Sequence, residues 1–180
     1  MTLTDIALTT QVVTLGSERA FALLVERHQE TVRRLLLRLT KGDGMRADDL
    51  AQETFINAWE HLHSFHGLSN FRTWLLRIAY NKFIDDERNR QSHPAETDID
   101  DKQLKTSSSG DVESNVVNHD IDVALATLSD EERTCIILQC IEGQSIREIS
   151  SITGLNENTI KSHLRRGKAT LADFLRRNGY

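Results

Sequence analysis

Proline is almost missing from this chain: its one residue, Pro94, falls near the middle of 180. Because proline breaks helices from within, long uninterrupted helices are allowed on either side of it. Cysteine is scarce as well, with only Cys135 and Cys140, five positions apart in a segment that reads as helix. That spacing turns the two thiols in different directions, and no C-x-x-C or second ligand pair accompanies them. A disulfide, a redox pair and a zinc site are all disfavoured, and both read as reduced thiols packed in a core. No apolar run approaches the roughly 18–20 residues that a membrane span needs. The opening "MTLTDIALTTQVV" lacks the basic start and cleavage site of a secretory signal, so a cytoplasmic protein without membrane insertion is expected. Sustained period-two alternation and internal repeats are also lacking, which leaves an all-α reading. There is no G-x-S-x-G elbow, no phosphate-cradling glycine loop and no pair of carboxylates in a pocket-like context. No enzyme and no cofactor is expected. His61, His63 and His66 form H-x-H-x2-H across a helix end, but nothing nearby completes a site, and no metal is expected.

Net positive charge is missing too, since 22 basic side chains face 27 acidic ones. A sum of −5 looks wrong for a nucleic-acid binder until it is divided along the chain. Residues 1–92 carry 12 basic and 12 acidic side chains, whereas residues 93–120 carry two and seven. Residues 121–180 carry eight of each, yet within 158–180 six basic residues face one acidic. The negative excess therefore lies in one segment and the positive excess at one end.

That acidic segment, 92–118, is polar, holds Pro94 and a Ser-Ser-Ser-Gly run, and has too little apolar surface to order itself. It reads as a flexible linker between two small helical domains, 1–91 and 119–180. In the first, Phe21, Leu24, Val25, His28, Val32, Leu35, Leu36 and Leu39 follow helical spacing after a Ser17 cap. The glycine-bearing "KGDGMRADD" (41–49) reads as a turn, with Asp48 capping the helix that follows. A break at "FHGLSN" (65–70) precedes a last helix over 71–90, with an interruption expected after Tyr80. In the second, Ile121, Leu125 and Leu128 start a helix, and Ser129 with Glu132 forms a capping box. Gly143 then stops the chain, and Ser145 with Glu148 forms another box. Gly154 makes a tight turn and Asn156 caps a final helix with Ile160, Leu164, Leu171 and Phe174 on its inner side. Two short capped helices joined by a glycine turn read as a helix-turn-helix.

"DLAQETFINAW" (49–59) carries two stripes when wound as a helix. Ala51, Phe55, Ala58 and Trp59 face a core, while Asp49, Gln52, Glu53, Ile56 and Glu60 make an acidic and amide-bearing face. Such a face suits a basic partner helix and repels DNA. Seven of ten aromatics fall between positions 55 and 83. Phe55, Trp59, Phe65, Phe71 and Trp74 read as core. Tyr80, Asn81 and Lys82, with Arg72, Arg77, Arg88 and Arg90 nearby, combine a ring, an amide and cations as a single-stranded nucleic-acid surface does. On the final helix Lys161, Arg165 and Lys168, flanked by Ser162, His163 and Arg166, oppose the apolar side and suit a major groove.

"AFALLVERHQETVRRLLLRL", "DDLAQETFINAW", "FHGLSNFRTWLLRIAYN" and "LSDEERTCIILQCIEGQSIREIS…NTIKSHLRRGKATL" resemble, in order and spacing, the bacterial ECF (extracytoplasmic-function) sigma factors. The resemblance covers roughly 19–90 and 121–175. It implies a dissociable RNA polymerase subunit that recognises promoters. Asp49, Gln52, Glu53 and Ile56 would dock on the β′ coiled coil of core polymerase, whose β subunit is also a partner. Tyr80 and Asn81, on a loop after the "FRTWL" helix, with Arg72, Arg77, Lys82, Asp85 and Arg88, would open and read the −10 element of promoter DNA. Lys161, Ser162, His163, Arg165, Arg166 and Lys168 would read the −35 element. His163, Gly167 and Lys168 depart from the family's usual residues, as does the "LSDEER" opening. The resemblance also implies an anti-sigma factor as partner, and a linker that threads the polymerase toward its RNA exit path, unless it is a plain solubilising tether. From the residues alone, a stand-alone helix-turn-helix regulator and a helical protein adaptor remain open alternatives.

Overall fold

The computed structural model describes residues 4–65, 67, 69–92 and 120–179. All regular structure among them is helical. The expected linker lies, apart from Ser92, outside the described residues, as does His66. No helix among the described residues is long and apolar enough to cross a membrane.

α1 (Asp5–Leu15) starts at Thr4, whose hydroxyl accepts from the Ala7 amide, and ends at Gly16 in the left-handed region at φ 61°. α1 buries Leu8, Thr9 and Val12 but leaves Ile6, Val13 and Leu15 exposed. α2 (Glu18–Leu39) is capped by Ser17 as expected, and Leu24, His28, Val32, Leu35, Leu36 and Leu39 are buried along it. α3 (Gly44–His61) begins five residues earlier than the Asp48 cap would require. Asp43 caps it instead, accepting from the Arg46 amide at 3.0 Å, while Asp48 takes a 2.6 Å bond from Arg33 Nε. A 3-10 turn at Leu62–Ser64 ends this stretch.

α4 (Phe71–Ser92) runs without interruption, so Tyr80 and Asn81 lie within a helix and not on a loop. Nothing between Tyr80 and Ser92 is proline or glycine, and the i→i−4 ladder continues through. Phe71 is buried, and Phe65, Phe71 and Trp74 form one ring cluster with centroids 5.4–5.7 Å apart. Trp59 departs from its expected place in the core: it is 40% exposed and stands edge-on to Phe21 at 5.0 Å.

Residues 120–126 form α5, followed by α6 (Asp130–Ile136), a π turn (Ile137–Ile141), α7 (Ile146–Thr153) and α8 (Glu157–Arg177). Ser129 caps α6, but the expected box is half formed, because the Glu132 carboxylate is drawn away to Arg166. Arg133 is buried and satisfies two carbonyls near the end of α5, Leu125 O at 3.0 Å and Leu128 O at 3.2 Å. Both cysteines are free thiols. Cys135 is buried, whereas Cys140 is exposed, because only one side of the π turn is covered. Around α7 the reading from sequence holds: Ser145 and Glu148 bond reciprocally, Gly154 adopts φ 75°, and Asn156 accepts from the Thr159 amide. Ile149, Ile152, Ile160 and Leu164 close the core between α7 and α8.

α1–α4 form one helical unit and α5–α8 a second, and the two are packed on each other through α4 and α7. Composition and periodicity do not indicate this contact.

Candidate functional site

Three surfaces carry the residues singled out by sequence. The first lies on α3, where Asp49, Gln52, Glu53 and Ile56 are all exposed. An α-helix advances about 100° per residue, so positions 49, 52, 53 and 56 share a face. Ile56 is 59% exposed, an aliphatic side chain set within the acidic and amide-bearing face. Beside it opens a groove of about 530 Å³ between α2 and α3, lined by Val25, Gln29, Gln52, Phe55 and Ile56. The acidic stripe therefore borders an apolar slot, a shape suited to an amphipathic helix. Phe55 and Val25, read from sequence as core, are half-buried walls of that slot. Glu53 also meets Lys82 Nζ across α3 and α4 at 3.4 Å, an exposed pair worth well under about 1 kcal/mol.

The second surface is α4. Arg77, Asn81, Asp85 and Arg88 follow one another at i+4, i+4 and i+3, and all are exposed. Asp85 and Arg88 lie 3.6 Å apart. The remaining candidates point elsewhere. Lys82 turns toward α3, and Arg72 donates to Glu142 of the second unit at 2.6 Å. Tyr80 is half-buried near α6. Its loss of water, with the neighbouring Cys135 and Glu131, raises its pKa above the ordinary phenol value. Arg77 and Asn81 line a cavity of about 860 Å³ between the units, shared with Phe65, Asn70, Trp74 and Arg147. Rings, amides, two guanidiniums and the Glu148 carboxylate thus meet in one recess, which can stack a planar group. Phe65 and Asn70 belong to the break before α4, and sequence reasoning gave them no role in binding. Their signal was available in "FHGLSN", an irregular segment beside an aromatic cluster.

The third surface is α8. Lys161 and Arg165 are exposed near its start, and Ser162 and His163 are half-exposed. Arg166 is held by Glu132 at 3.0 Å and lies 3.0 Å from His163 Nδ1, while Lys168 Nζ donates to Gln139 at 2.7 Å. The first turns of the helix are thus the available part, as in helix-turn-helix proteins that present the start of their second helix to base edges. Gly167 has a packing role: a Cβ there would stand 3.0 Å from Ile136 Cγ1, so glycine lets α8 close on α6.

Two charged centres had no sequence signal. His28 and Arg27 both meet Asp5, His28 Nε2 at 2.9 Å, which ties α1 to α2. Glu142 is fully buried and receives Arg34 and Arg72 from the first unit. No cluster of side chains fit for a metal is found among the described residues.

Comparison with known proteins gives a consistent picture. Residues 24–93 match the family model for sigma-70 region 2, and residues 118–171 match that for sigma-70 region 4. Over 172 residues the chain is 31% identical to the ECF RNA polymerase sigma factor SigW of Bacillus subtilis (strain 168), covering 89% of this chain and 91% of that one. Among solved structures it is similar to the sigma factor RpoE in complex with the anti-sigma factor NepR from Bartonella quintana. The TM-score is 0.74 and the identity 27%, with 88% of this chain and 98% of that chain covered. It is also similar to CnrH in complex with the cytosolic domain of CnrY, with TM-score 0.71, 27% identity, and 97% and 99% covered.

Proposed function

The chain belongs to the ECF RNA polymerase sigma factors, which direct promoter-specific initiation of transcription, and on that premise we propose how its surfaces divide the work. Residues 1–91 act as the region that binds core polymerase and opens and reads the −10 element. Residues 119–180 read −35 as duplex, and 92–118 link the two along the polymerase's path for RNA. The chain itself performs no catalytic step and works in the cytoplasm.

Asp49, Gln52, Glu53 and Ile56 dock on the β′ coiled coil. The observation that carries this assignment is the exposed Ile56 set in an acidic stripe beside an apolar groove. Acidic and amide groups around an aliphatic centre complement a basic amphipathic helix, and their sign excludes DNA as the partner. Arg77 and Asn81, in their aromatic-lined recess, capture an unstacked base of the −10 strand, with Arg72, Tyr80, Lys82, Asp85 and Arg88 around them. A captured base offsets the few kcal/mol lost on unstacking it. Lys161, Ser162, His163, Arg165, Arg166 and Lys168 form the −35 surface, and Arg166 and Lys168 must leave Glu132 and Gln139 to join it. An anti-sigma factor is a further proposed partner, since the RpoE relative was solved with one.

The test is reconstitution with purified core polymerase. Glu53→Arg reverses a charge on an exposed stripe, so the protein should keep its fold and Tm while its affinity for core falls at least tenfold, about 1.4 kcal/mol. Unchanged affinity would remove the docking assignment.

A further inference from the structure

Among the described residues Glu142 is the one buried carboxylate. The backbone aims it: the π turn at Ile137–Ile141 inserts an extra residue, the Glu142 amide closes on Ile137 O at 3.0 Å, and Gly143 turns away at φ 66°. Taking a carboxylate out of water costs several kcal/mol unless cations surround it. Arg34 of α2 offers a fork, Nε to Oε1 at 3.0 Å and Nη2 to Oε2 at 3.1 Å, and Arg72 of α4 adds a 2.6 Å bond to Oε2. A third guanidinium stands one turn along α2. Arg38 is nine-tenths buried, and its Nε and Nη1 have no hydrogen-bond acceptor. Asp122, half-exposed, comes within 3.7 Å of Nε.

Two guanidiniums hold the buried carboxylate, and the third, Arg38, stands one turn along α2 beside Asp122 with buried donors left over. Such a cluster suits an anion that accepts more bonds than a carboxylate does. Phosphate meets that need, and arginine forks grip phosphate and carboxylate oxygens with the same geometry. The cluster also adjoins the recess of Arg77 and Asn81, since Thr73, the chain neighbour of Arg72, lines it. We infer that Arg34, Arg38 and Arg72 form a binding site for a backbone phosphate of the −10 strand, and that Glu142 of the second unit fills it in the closed chain. This rests on the proposed reading of α4. It adds Arg34 and Arg38 to the DNA surface and makes Glu142 a built-in competitor of promoter DNA.

The probe is a fluorescently labelled pool of mixed-sequence single-stranded DNA 12-mers, because a phosphate contact carries no sequence information. Its binding to the full chain is measured across salt concentrations. Glu142→Gln removes the competing charge and leaves Arg34 and Arg72 facing each other without the carboxylate that held them, so the units should part. If nine-tenths of the wild type is closed, the variant should bind about tenfold more tightly. Adding Arg34→Gln should reverse most of that gain and lower the slope of log K against log salt by about 0.7, the value for one phosphate contact to a single strand. Inorganic phosphate at matched ionic strength should not displace the strand; displacement would make this a free-phosphate site and overturn the inference. A slope that Arg34→Gln leaves unmoved, whatever Glu142→Gln does to affinity, reduces the cluster to a latch and overturns it too. If Glu142→Gln fails to fold, Arg34→Gln against wild type at low salt reads the same slope. Core-polymerase binding of the same proteins separates the two levels. If the wild type binds core while the slope does not move, only the phosphate site falls. If the wild type binds neither core nor DNA, the functional reading falls and the site with it.

Discussion

His28 stands where α1, α2 and α4 meet, with Asp5 of α1 on its Nε2, the Phe71 ring of α4 at 5.2 Å, and Arg27 and Arg72 as the nearby cations. Burial lowers its pKa below 6.5. The Asp5 charge and hydrogen bond oppose that shift, and the two arginines reinforce it. The sign of the linkage follows. The unfolded chain takes up a proton near pH 6.5 and the folded chain resists until lower pH, so stability is present above that range and is lost as pH falls through it. Thermal unfolding between pH 7.5 and 5.5 should show Tm dropping from about pH 6.5 downward, and His28→Gln, which keeps a donor for Asp5 but cannot titrate there, should flatten the drop. A Tm that rises on acidification would mean that Asp5 outweighs burial. Arg72 links this centre to the second unit, since it lies near enough to act on the His28 charge and donates to Glu142 at 2.6 Å.

At the scale of elements, α7 is short, eight residues, and too short to persist without its caps and its packing. Its start is held by the Ser145–Glu148 box. The Glu148 carboxylate bonds the Ser145 hydroxyl at 2.7 Å and amide at 2.8 Å, which lowers its pKa, and it also meets Thr73 of α4. Ser145→Ala should cost about 1 kcal/mol, read as a shift of the urea midpoint at constant m-value. Because α7 carries the second unit onto α4, the variant should also loosen the closed form. An unchanged midpoint would show that the box is redundant with packing. Capping, turn and core positions of this kind were legible in the sequence, since each is a local pattern of two to four residues. Two local readings failed where a competing partner or cap took over: Glu132 left its box for Arg166, and Asp43 displaced Asp48. The break expected after Tyr80 had no proline or glycine to cause it, and α4 runs through.

For the whole molecule, the packed units cover part of α4, hold Arg72 on Glu142 and leave the start of α8 exposed. A chain of net charge −5 with one basic helix has little long-range attraction for DNA, and the packed units engage two further cations, Arg34 and Arg72, with Glu142. The isolated protein should therefore give no specific promoter footprint, while adding core polymerase should give protection at both elements and permanganate-reactive thymines near −10. Tight, specific duplex binding without polymerase would favour a stand-alone regulator. The sequence alone determined that the chain is helical and divided at an acidic segment, that Ser17, Ser129, Ser145 and Asn156 cap helices, and which stripes on α3 and α8 are acidic and basic. Those features are periodic or local, and periodicity is what a sequence displays. Only the tertiary structure decided that Glu142 lies between Arg34 and Arg72, 108 and 70 positions away, that Tyr80 turns toward α6 while Asn81 opens to the recess, and that Gly167 is a packing residue. Which charge meets which across two separate units depends on how their surfaces dock, and no local pattern records that.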